Sequence, residues 1–271
     1  MELIIQYKYL YKFRNFETLE HLRLITENEL YFSSPTNFND PFDCQIPAYY
    51  NDATQEEMIS FWKNVSEQNI PNKDPGFHEQ WAKEVIISGR LTSPDTIQHY
   101  EQLSRQLLSR SIGIYSLSGS ISDILLWSHY SHSHTGFAVG LFSKMLQNFC
   151  NYFTNVNDRM LLPMKVEYSR TYPKINAYKT PNEERFKLQV LTKAENWAYE
   201  KEYRIVFERG PGIAIQLPKG IINRVILGCQ ISSENKQKII SILKDRKENI
   251  SLFQATRSRS KFALCFKKIN Y

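Results

Sequence analysis

Two acidic residues in the last third of the chain could act together in chemistry. Glu200 and Glu202 flank Lys201 in the segment WAYEKEYRIVF, and Arg204 follows. Alternate side chains of a strand share one face, so the pattern predicts that both carboxylates and the Arg204 guanidinium lie side by side. Like charges on one strand face repel unless a cation pairs them. The segment is therefore either an Arg–Glu surface ladder or a carboxylate held in a cleft by its neighbours.

A second group of polar residues lies in the segment LWSHYSHSHTGF, which holds three of the six histidines. We expect a cofactor to be lined by three side chains of this segment, Trp127, His129 and Tyr130. The alternative is that they pack in the core with satisfied hydrogen bonds. A helix would place His129 and His132 on one face. A metal site would need a third ligand, such as Asp123 or Asp40, and the chain has no HExxH motif and no cysteine pair.

A third group is a loop in which two aromatic residues frame polar ones. Phe38 and Phe42 enclose Asn39, Asp40 and Pro41. Asn and Asp often bond their own backbone in turns, and Pro fixes φ, so a simple turn explains the pattern. The functional interpretation is that Asn39 and Asp40 point into a pocket walled by the two phenylalanines and contact a cofactor there.

Hydrophobic periodicity predicts the elements that must position these residues. The predicted strands are 3–14, 30–34, 111–119, 135–142, 165–169, 202–208, 213–217, 224–228, 252–255 and 262–266. The predicted helices are 16–29, 54–68, 76–89, 94–110, 123–132 with Ser122 as its N-cap, 183–194 and 232–247. Short strands without regular crossover helices favour an α+β fold with mixed or antiparallel sheets. We expect one domain over 1–271, with 51–110 as a helical insertion or subdomain.

Composition excludes several classes of protein. The 271 residues are 42% hydrophobic, and no apolar stretch reaches the roughly 18 residues of a membrane span. The N-terminus is typical of a strand and not of a signal peptide. The four cysteines are far apart and form no CxxC pair, so we expect reduced thiols and a cytoplasmic protein. Cys44, in a polar loop, is a less favoured candidate nucleophile.

The net charge of +6 is unevenly distributed. Residues 231–271 contain ten Lys and Arg against three Asp and Glu. Such a basic C-terminal face could meet an acidic partner, a nucleic acid or the phosphates of a cofactor. A solvated surface with no partner is the alternative.

Four motifs in order resemble those of an uncharacterised bacterial domain-of-unknown-function family. They are YKFR, YFSSPTNFNDPFD, LWSHYSHSHTGF and WAYEKEYRIVF, and they extend over nearly the whole chain. This resemblance implies no activity.

A second resemblance, to the arginine–serine–glutamate class of ADP-ribosyltransferases, does imply one. Its three elements are Arg14 (or Lys12) near the start, Ser116-Leu117-Ser118, and Glu200-Lys201-Glu202. The family has a compact α+β fold with two mixed sheets around an NAD cleft. This chain departs from the pattern in two ways. Leu117 replaces the usual threonine, and about 100 residues separate the first two elements, so the block 51–110 would be an insertion.

The resemblance assigns roles to these residues. Glu202 would bind the ribose 2′-OH and stabilise the oxocarbenium character that develops as nicotinamide leaves. Glu200 would orient or deprotonate the acceptor. Arg14 would clamp the pyrophosphate, Ser116 or Ser118 would orient the nicotinamide ribose and Glu202, and Tyr130 or Trp127 would stack on nicotinamide. The chain has no GxGxxG motif, so a Rossmann turn is not predicted.

We therefore expect NAD as a substrate and an NAD-dependent mono-ADP-ribosyltransferase, acting on a protein or nucleic-acid acceptor as a toxin, effector or defence protein. A close relative that only hydrolyses NAD fits equally. Two alternatives remain. One is a metal-dependent nuclease or hydrolase that uses Asp40, Asp123, His129 and His132. The other is a non-catalytic module that binds a nucleic acid or another partner through the basic C-terminal face.

Overall fold

A computed structural model describes residues 5–89, 94–157 and 161–271. Two compact units make up the chain. The first, which we call the sheet unit, consists of Met1–Phe38, Arg110–Tyr168 and Glu195–Tyr271. The second, the helical unit, consists of Asn39–Ser109 and Ser169–Ala194. In the described part of the chain, no helix is long and apolar enough to cross a membrane.

The strands and helices follow one another without a regular alternation. The strands are β1 (Tyr9–Arg14), β2 (Glu29–Phe32), β3 (Gly113–Ser118), β4 (Phe137–Phe142), β5 (Leu161–Lys165), β6 (Glu167–Ser169), β7 (Thr192–Ala194), β8 (Glu202–Phe207), β9 (Ile213–Gln216), β10 (Ile222–Leu227), β11 (Ser251–Arg257) and β12 (Leu264–Ile269). The α-helices are α1 (Arg23–Thr26), α2 (Gln55–Asn69), α3 (Pro75–Ile87), α4 (Pro94–Ser111), α5 (Ile124–Tyr130), α6 (Ser143–Asn157), α7 (Asn182–Leu191) and α8 (Ser233–Arg246). The described residues also form 3-10 helices at Leu19–Leu22, Pro35–Asn37 and Glu195–Glu200.

Eight strands of the sheet unit form one mixed sheet in the order β12-β11-β10-β4-β1-β3-β8-β5. Neighbouring strands are antiparallel except β10 and β11, which are parallel and joined through α8. A parallel pair needs such a crossover, because the chain must return to the starting edge of the sheet. β2 and β9 form a separate antiparallel pair. The predicted α+β class with a mixed sheet is thus confirmed.

The first strand lies in the middle of this sheet. β1 pairs with β4 over six residues, from Tyr9 to Arg14. On its other side it pairs with β3 at a single position, Tyr11 opposite Ser118. The two strands therefore separate beyond that position. Tyr11 and Ser118 point to the same face of the sheet, so the alternate residues Lys12 and Arg14 point to the other face.

The larger core covers one face of the sheet. Leu117, Val139 and Ile205 contribute from three strands, and the buried Leu146 and Ile239 come from α6 and α8. The opposite face carries a smaller cluster around Trp127, with aromatic and aliphatic neighbours. The sheet is thus buried on both faces near its centre, which is why its central strands read as nearly continuous apolar runs.

The helical unit is held by its own small core and by well-formed helix starts. Thr54 and Glu57 form a capping box at the start of α2, and Asp74 caps α3. Trp62 of α2 is 4% exposed. These starts match the predicted helices 54–68, 76–89 and 94–110, because capping residues and Pro punctuate the sequence there.

Several predicted elements need correction. No element was predicted over 143–164, where the structure has helix α6 and most of strand β5, and residues 192–194 are a strand instead of the end of the helix 183–194. Asp123, not Ser122, caps α5, since its carboxylate accepts a hydrogen bond from the Leu125 amide at 2.9 Å. The helix predicted over 16–29 is one 3-10 turn followed by four α-helical residues. The first strand begins at Tyr9, and residues 3–4 of its predicted range lie outside the described residues.

Candidate functional site

Three neighbouring strands of the sheet carry the residues singled out in the sequence. β1, β3 and β8 are consecutive in the sheet. Ser118 lies opposite Glu202, and Ser116 lies opposite Arg204. Since directly opposite residues of antiparallel strands point to the same face, the two serines, Glu202 and Arg204 share one face of the sheet.

Glu202 and Arg204 form a buried ion pair. The Arg204 Nε donates to Glu202 Oε1 at 2.9 Å, and Nη2 donates to Oε2 at 3.1 Å. Glu202 is 4% exposed and Arg204 is inaccessible. The guanidinium carbon also lies 5.4 Å from the centre of the Phe38 ring. The pairing of the two charges was one of the predicted alternatives, but the pair is buried and is not a surface ladder.

Glu200 reaches the same region from a different element. It ends the 3-10 helix Glu195–Glu200, and Lys201 has a left-handed φ of 46°. This bend corrects the prediction that Glu200 and Glu202 lie on one strand face, because the strand starts only at Glu202. Glu200 is 4% exposed, and its Oε1 accepts a hydrogen bond from the Tyr130 hydroxyl at 2.6 Å.

Ser118 and one tyrosine hold this bend against the sheet. The Ser118 hydroxyl donates to the carbonyl oxygens of Glu200 and Ser120, and accepts from the Ser120 amide. The Glu202 amide donates to the Tyr168 hydroxyl at 2.8 Å. Ser118 therefore positions the backbone that carries Glu200. Tyr168 does the same for Glu202, and nothing in the sequence patterns pointed to it.

Two basic side chains occupy the space where β1 and β3 separate. The Lys12 ammonium donates to the Ser116 carbonyl at 2.8 Å and lies 4.6 Å from the centre of the Tyr115 ring. The Arg14 guanidinium is 6.0 Å from the same ring. Its Nε is buried without a hydrogen-bond partner among the described residues, as is the Tyr115 hydroxyl.

Burial sets the pKa values in this space. Desolvation, and then the neighbouring Arg14 charge, hold the Lys12 pKa well below its usual value, against the opposing effect of Glu202 and Glu200. Desolvation also lowers the pKa of Arg14, and it raises the pKa of Tyr115 to about 12. An anion would bind favourably beside Lys12 and Arg14, because its charge would offset their mutual repulsion and the cost of their desolvation. The unpartnered Arg14 Nε and Tyr115 hydroxyl could donate hydrogen bonds to it.

The aromatic residues of α5 have different surroundings from one another. Trp127 is fully buried, donates from Nε1 to the Ile121 carbonyl at 2.7 Å, and meets Phe13 edge to face. It is part of the core and presents no ring face for stacking. Tyr130 is half-buried and reaches Glu200, as described above. His129 is exposed, with its ring 6.3 Å from that of Trp197.

The segment after α5 is a tight left-handed loop. His132, Ser133 and His134 all have positive φ. The exposed His132 ring pairs with Glu17 at 3.0 Å. His134 stacks on Trp127, and its carbonyl accepts from the Gln230 amide at 3.0 Å. Across the ranges that the structure describes, no three His, Cys, Asp or Glu side chains are grouped to hold a metal ion, so the placement of the histidines gives the metal hypothesis no support.

Asn39 and Asp40 belong to the helical unit, where Asp40 acts as a turn residue. Its Oδ1 accepts a hydrogen bond from the Phe42 amide at 3.0 Å, and the side chain is 6% exposed. Phe42 is 62% exposed, so its ring does not wall an enclosed pocket. Cys44 in the same turn is buried and points its thiol at Asp43. This arrangement agrees with the turn interpretation of the loop.

One segment of the chain is similar to a protein-family model. Residues 126–205 match the family model described as "Protein of unknown function (DUF2971)". This match confirms the predicted resemblance to an uncharacterised domain-of-unknown-function family, and it covers α5, the Glu200 bend and the Glu202–Arg204 pair. No curated protein and no solved structure matches the chain.

Proposed function

We propose that the sheet unit is an NAD-dependent mono-ADP-ribosyltransferase of the arginine–serine–glutamate type. The observation that supports it is the order of three adjacent strands. β1 carries Lys12 and Arg14, β3 carries the Ser-Leu-Ser segment, and β8 carries Glu202. A cation, a hydroxyl pair and a carboxylate are thereby set out across neighbouring strands, in the order that the resemblance to this class implies.

In the proposed reaction, the bond between the ribose C1′ and nicotinamide breaks, and nicotinamide leaves with the bonding electrons. The positive charge that develops on the ribose is stabilised by the Glu202 carboxylate, which accepts a hydrogen bond from the 2′-OH. A carboxylate has about four acceptor positions, so it can bind this hydroxyl together with Arg204. An acceptor oxygen or nitrogen then attacks C1′ and gives its proton to Glu200.

The cations of β1 have the complementary role. In the proposal Arg14 and Lys12 bind the pyrophosphate, whose charge balances theirs in a partly buried space. Because these two residues point to the face of the sheet opposite to that of Glu202, NAD must reach them through the gap where β1 and β3 separate. Tyr130 fixes Glu200 and lies beside the reacting ribose. Trp127 is left out of the stacking role, because its ring is fully buried. Since Glu200 and Glu202 are each 4% exposed, the proposal requires the residues that cover them to move as NAD enters.

The decisive experiment measures nicotinamide release from NAD by the full chain, with cell lysate as a source of acceptors. Glu202→Gln should lower release about 100- to 1000-fold, the typical loss when one transition-state contact is removed. Glu208→Gln is the matched control, because this exposed residue lies just beyond β8 and should leave release unchanged. Absence of release by the unaltered chain would refute the proposal.

Glu202→Gln also disturbs a buried ion pair, so circular dichroism and the Tm must show that the variant folds. Glu200→Gln supplies an independent test, since it leaves that pair in place. It should abolish transfer of labelled ADP-ribose to the acceptor while hydrolysis of NAD by water continues. Loss of both activities would show that Glu200 acts on NAD and not on the acceptor.

A further inference from the structure

The loop between β11 and β12 combines positive charge with an exposed aromatic ring. Residues 258–263 connect the two strands, and the Ser258 amide donates to the Ala263 carbonyl at 2.9 Å to close the hairpin. Phe262 at its tip is 100% exposed. A phenylalanine side chain normally buries most of its surface, so a fully exposed ring on an ordered hairpin needs an explanation outside the fold.

Positive charge surrounds this ring. The chain has no Asp or Glu after Glu248, but five basic residues lie on the hairpin, all exposed: Arg257, Arg259, Lys261, Lys267 and Lys268. Among the described residues none of the five has a carboxylate partner. Within the described residues, no carboxylate therefore neutralises these five charges.

The hairpin also forms one wall of a groove of about 700 Å³ within the sheet unit. Arg257, Arg259, Lys261 and Phe262 line it on one side, and His134 lines it on the other. The His134 Nδ1 is buried and has no hydrogen-bond partner among the described residues. The volume falls within the range of about 300–1000 Å³ that is usual for small-ligand sites, which is enough for a nucleotide.

We propose that this hairpin and groove bind single-stranded nucleic acid. Arg257 at the end of β11 and Arg259 and Lys261 of the loop contact successive phosphates. An unpaired base stacks on Phe262, and the neighbouring nucleotide enters the groove. Basic side chains interleaved with an aromatic ring are the usual surface for single strands, because every base offers a face for stacking while the backbone supplies the charge. A duplex fits less well, since its bases are already stacked on one another.

Protection of a sheet edge explains only part of the charge. β12 is an end strand of the sheet, and lysines on such strands deter pairing with other chains. Lys267 and Lys268 lie on that strand, and this role suits them. It accounts neither for the cations of the loop nor for Phe262, which lie outside the strand ladder.

The test is fluorescence anisotropy of the full chain with labelled oligothymidylate and oligouridylate of about 12 nucleotides and with a duplex of the same length. The affinity for single strands should fall steeply between about 50 and 200 mM salt. Replacing Arg257, Arg259 and Lys261 together by Gln, the loop triple variant, should lower the slope of log K against log salt by about 2, since each phosphate contact on a single strand contributes about 0.7. Comparison of the DNA and RNA probes identifies the preferred strand.

Phe262 provides the sharper variant, because its removal changes no charge. Phe262→Ala should weaken binding about tenfold or more, and Phe262→Trp should retain it. The charge-matched control replaces three exposed basic residues elsewhere, Lys174, Arg209 and Lys219, by Gln. This control variant should bind like the unaltered chain. The proposal is overturned if the unaltered chain does not bind, if the duplex binds as well as the single strands, or if the control triple weakens binding equally. None of these measurements depends on NAD cleavage.

Discussion

The basic residues of β1 and those of the β11–β12 hairpin belong to the same sheet but have opposite surroundings. Lys12 and Arg14 are crowded together, and desolvation lowers both of their pKa values. The hairpin cations are exposed and lie where the chain has no acid nearby in sequence. The partly buried cations of β1 therefore lower the stability of the fold and suit one small anion. The exposed cations of the hairpin affect stability little and suit a long polyanion.

The largest effect should come from breaking the buried ion pair that neighbours the β1 cations. Arg204→Met removes the guanidinium that pairs with the buried Glu202 carboxylate, so we expect a loss of about 3–5 kcal/mol and a fall in Tm of roughly 10 °C. Arg259→Met on the hairpin should leave the Tm unchanged. Thermal unfolding followed by circular dichroism measures both. Equal Tm values for the two variants would contradict the contrast between the regions.

Substrate affinity should separate the two regions next. Arg14→Gln removes a charge-assisted contact to the pyrophosphate, which is worth about 1.5–3 kcal/mol, so the KM for NAD should rise about 10- to 100-fold. Because Arg14 forms no ion pair among the described residues, the fold should survive the change. The loop triple variant should keep its KM. A raised KM in the loop triple would assign the phosphates of NAD to the hairpin instead.

A smaller effect, of opposite sign, is expected at Lys12. Its folded pKa is lowered, mainly by desolvation, so the unfolded chain binds the proton more tightly. Lys12→Met should therefore stabilise the protein by about 1 kcal/mol at neutral pH, as often happens when a functional charge is removed. The unfavourable contribution of Lys12 is complete below its folded pKa and disappears as the pH rises toward 10.5. The gain should shrink accordingly in urea unfolding curves recorded from pH 7 to pH 10; a gain that is independent of pH would point to packing.

The smallest effect concerns the hairpin ring. Phe262 is fully exposed, so Phe262→Ala removes no buried apolar surface and should change the Tm by no more than about 2 °C. Differential scanning fluorimetry suffices for this measurement. A larger fall would mean that the ring packs on the groove in solution, and would remove the case for a stacking partner.

Local signals allowed the sequence to predict much of the fold. Capping residues mark the starts of α2 and α3, and alternation marks β3 and β8, so these elements appear almost where they were expected. Helix α6 was not predicted, although Leu146, Phe149, Cys150 and Phe153 recur at the helical spacing of three and four residues, so its sequence did carry the signal. The separation of β1 from β3 depends on strand pairing between distant segments, which no local pattern encodes.

The candidate site was predictable only in part for the same reason. The charges of Glu200, Glu202 and Arg204 drew attention to the correct segment, but the bend at Lys201 requires a left-handed residue that is not a glycine. Trp127 looked like a binding residue because it stands beside histidines, although its neighbours in space make it part of the core. Tyr115 and Tyr168 gave no sign of their role, since a tyrosine on a strand looks like any other aromatic core residue.

The central place of β1 also has a consequence for how the chain folds during synthesis. This strand is made first, yet its partners β3 and β4 follow about 100 residues or more later. Until they leave the ribosome, both edges of β1 stay unpaired, and the nascent sheet cannot close. Topologies dominated by such distant contacts fold slowly and expose strand edges for longer. During that time the charges of Lys12 and Arg14 would keep the unpaired β1 from pairing with a neighbouring nascent chain, before either residue binds a ligand.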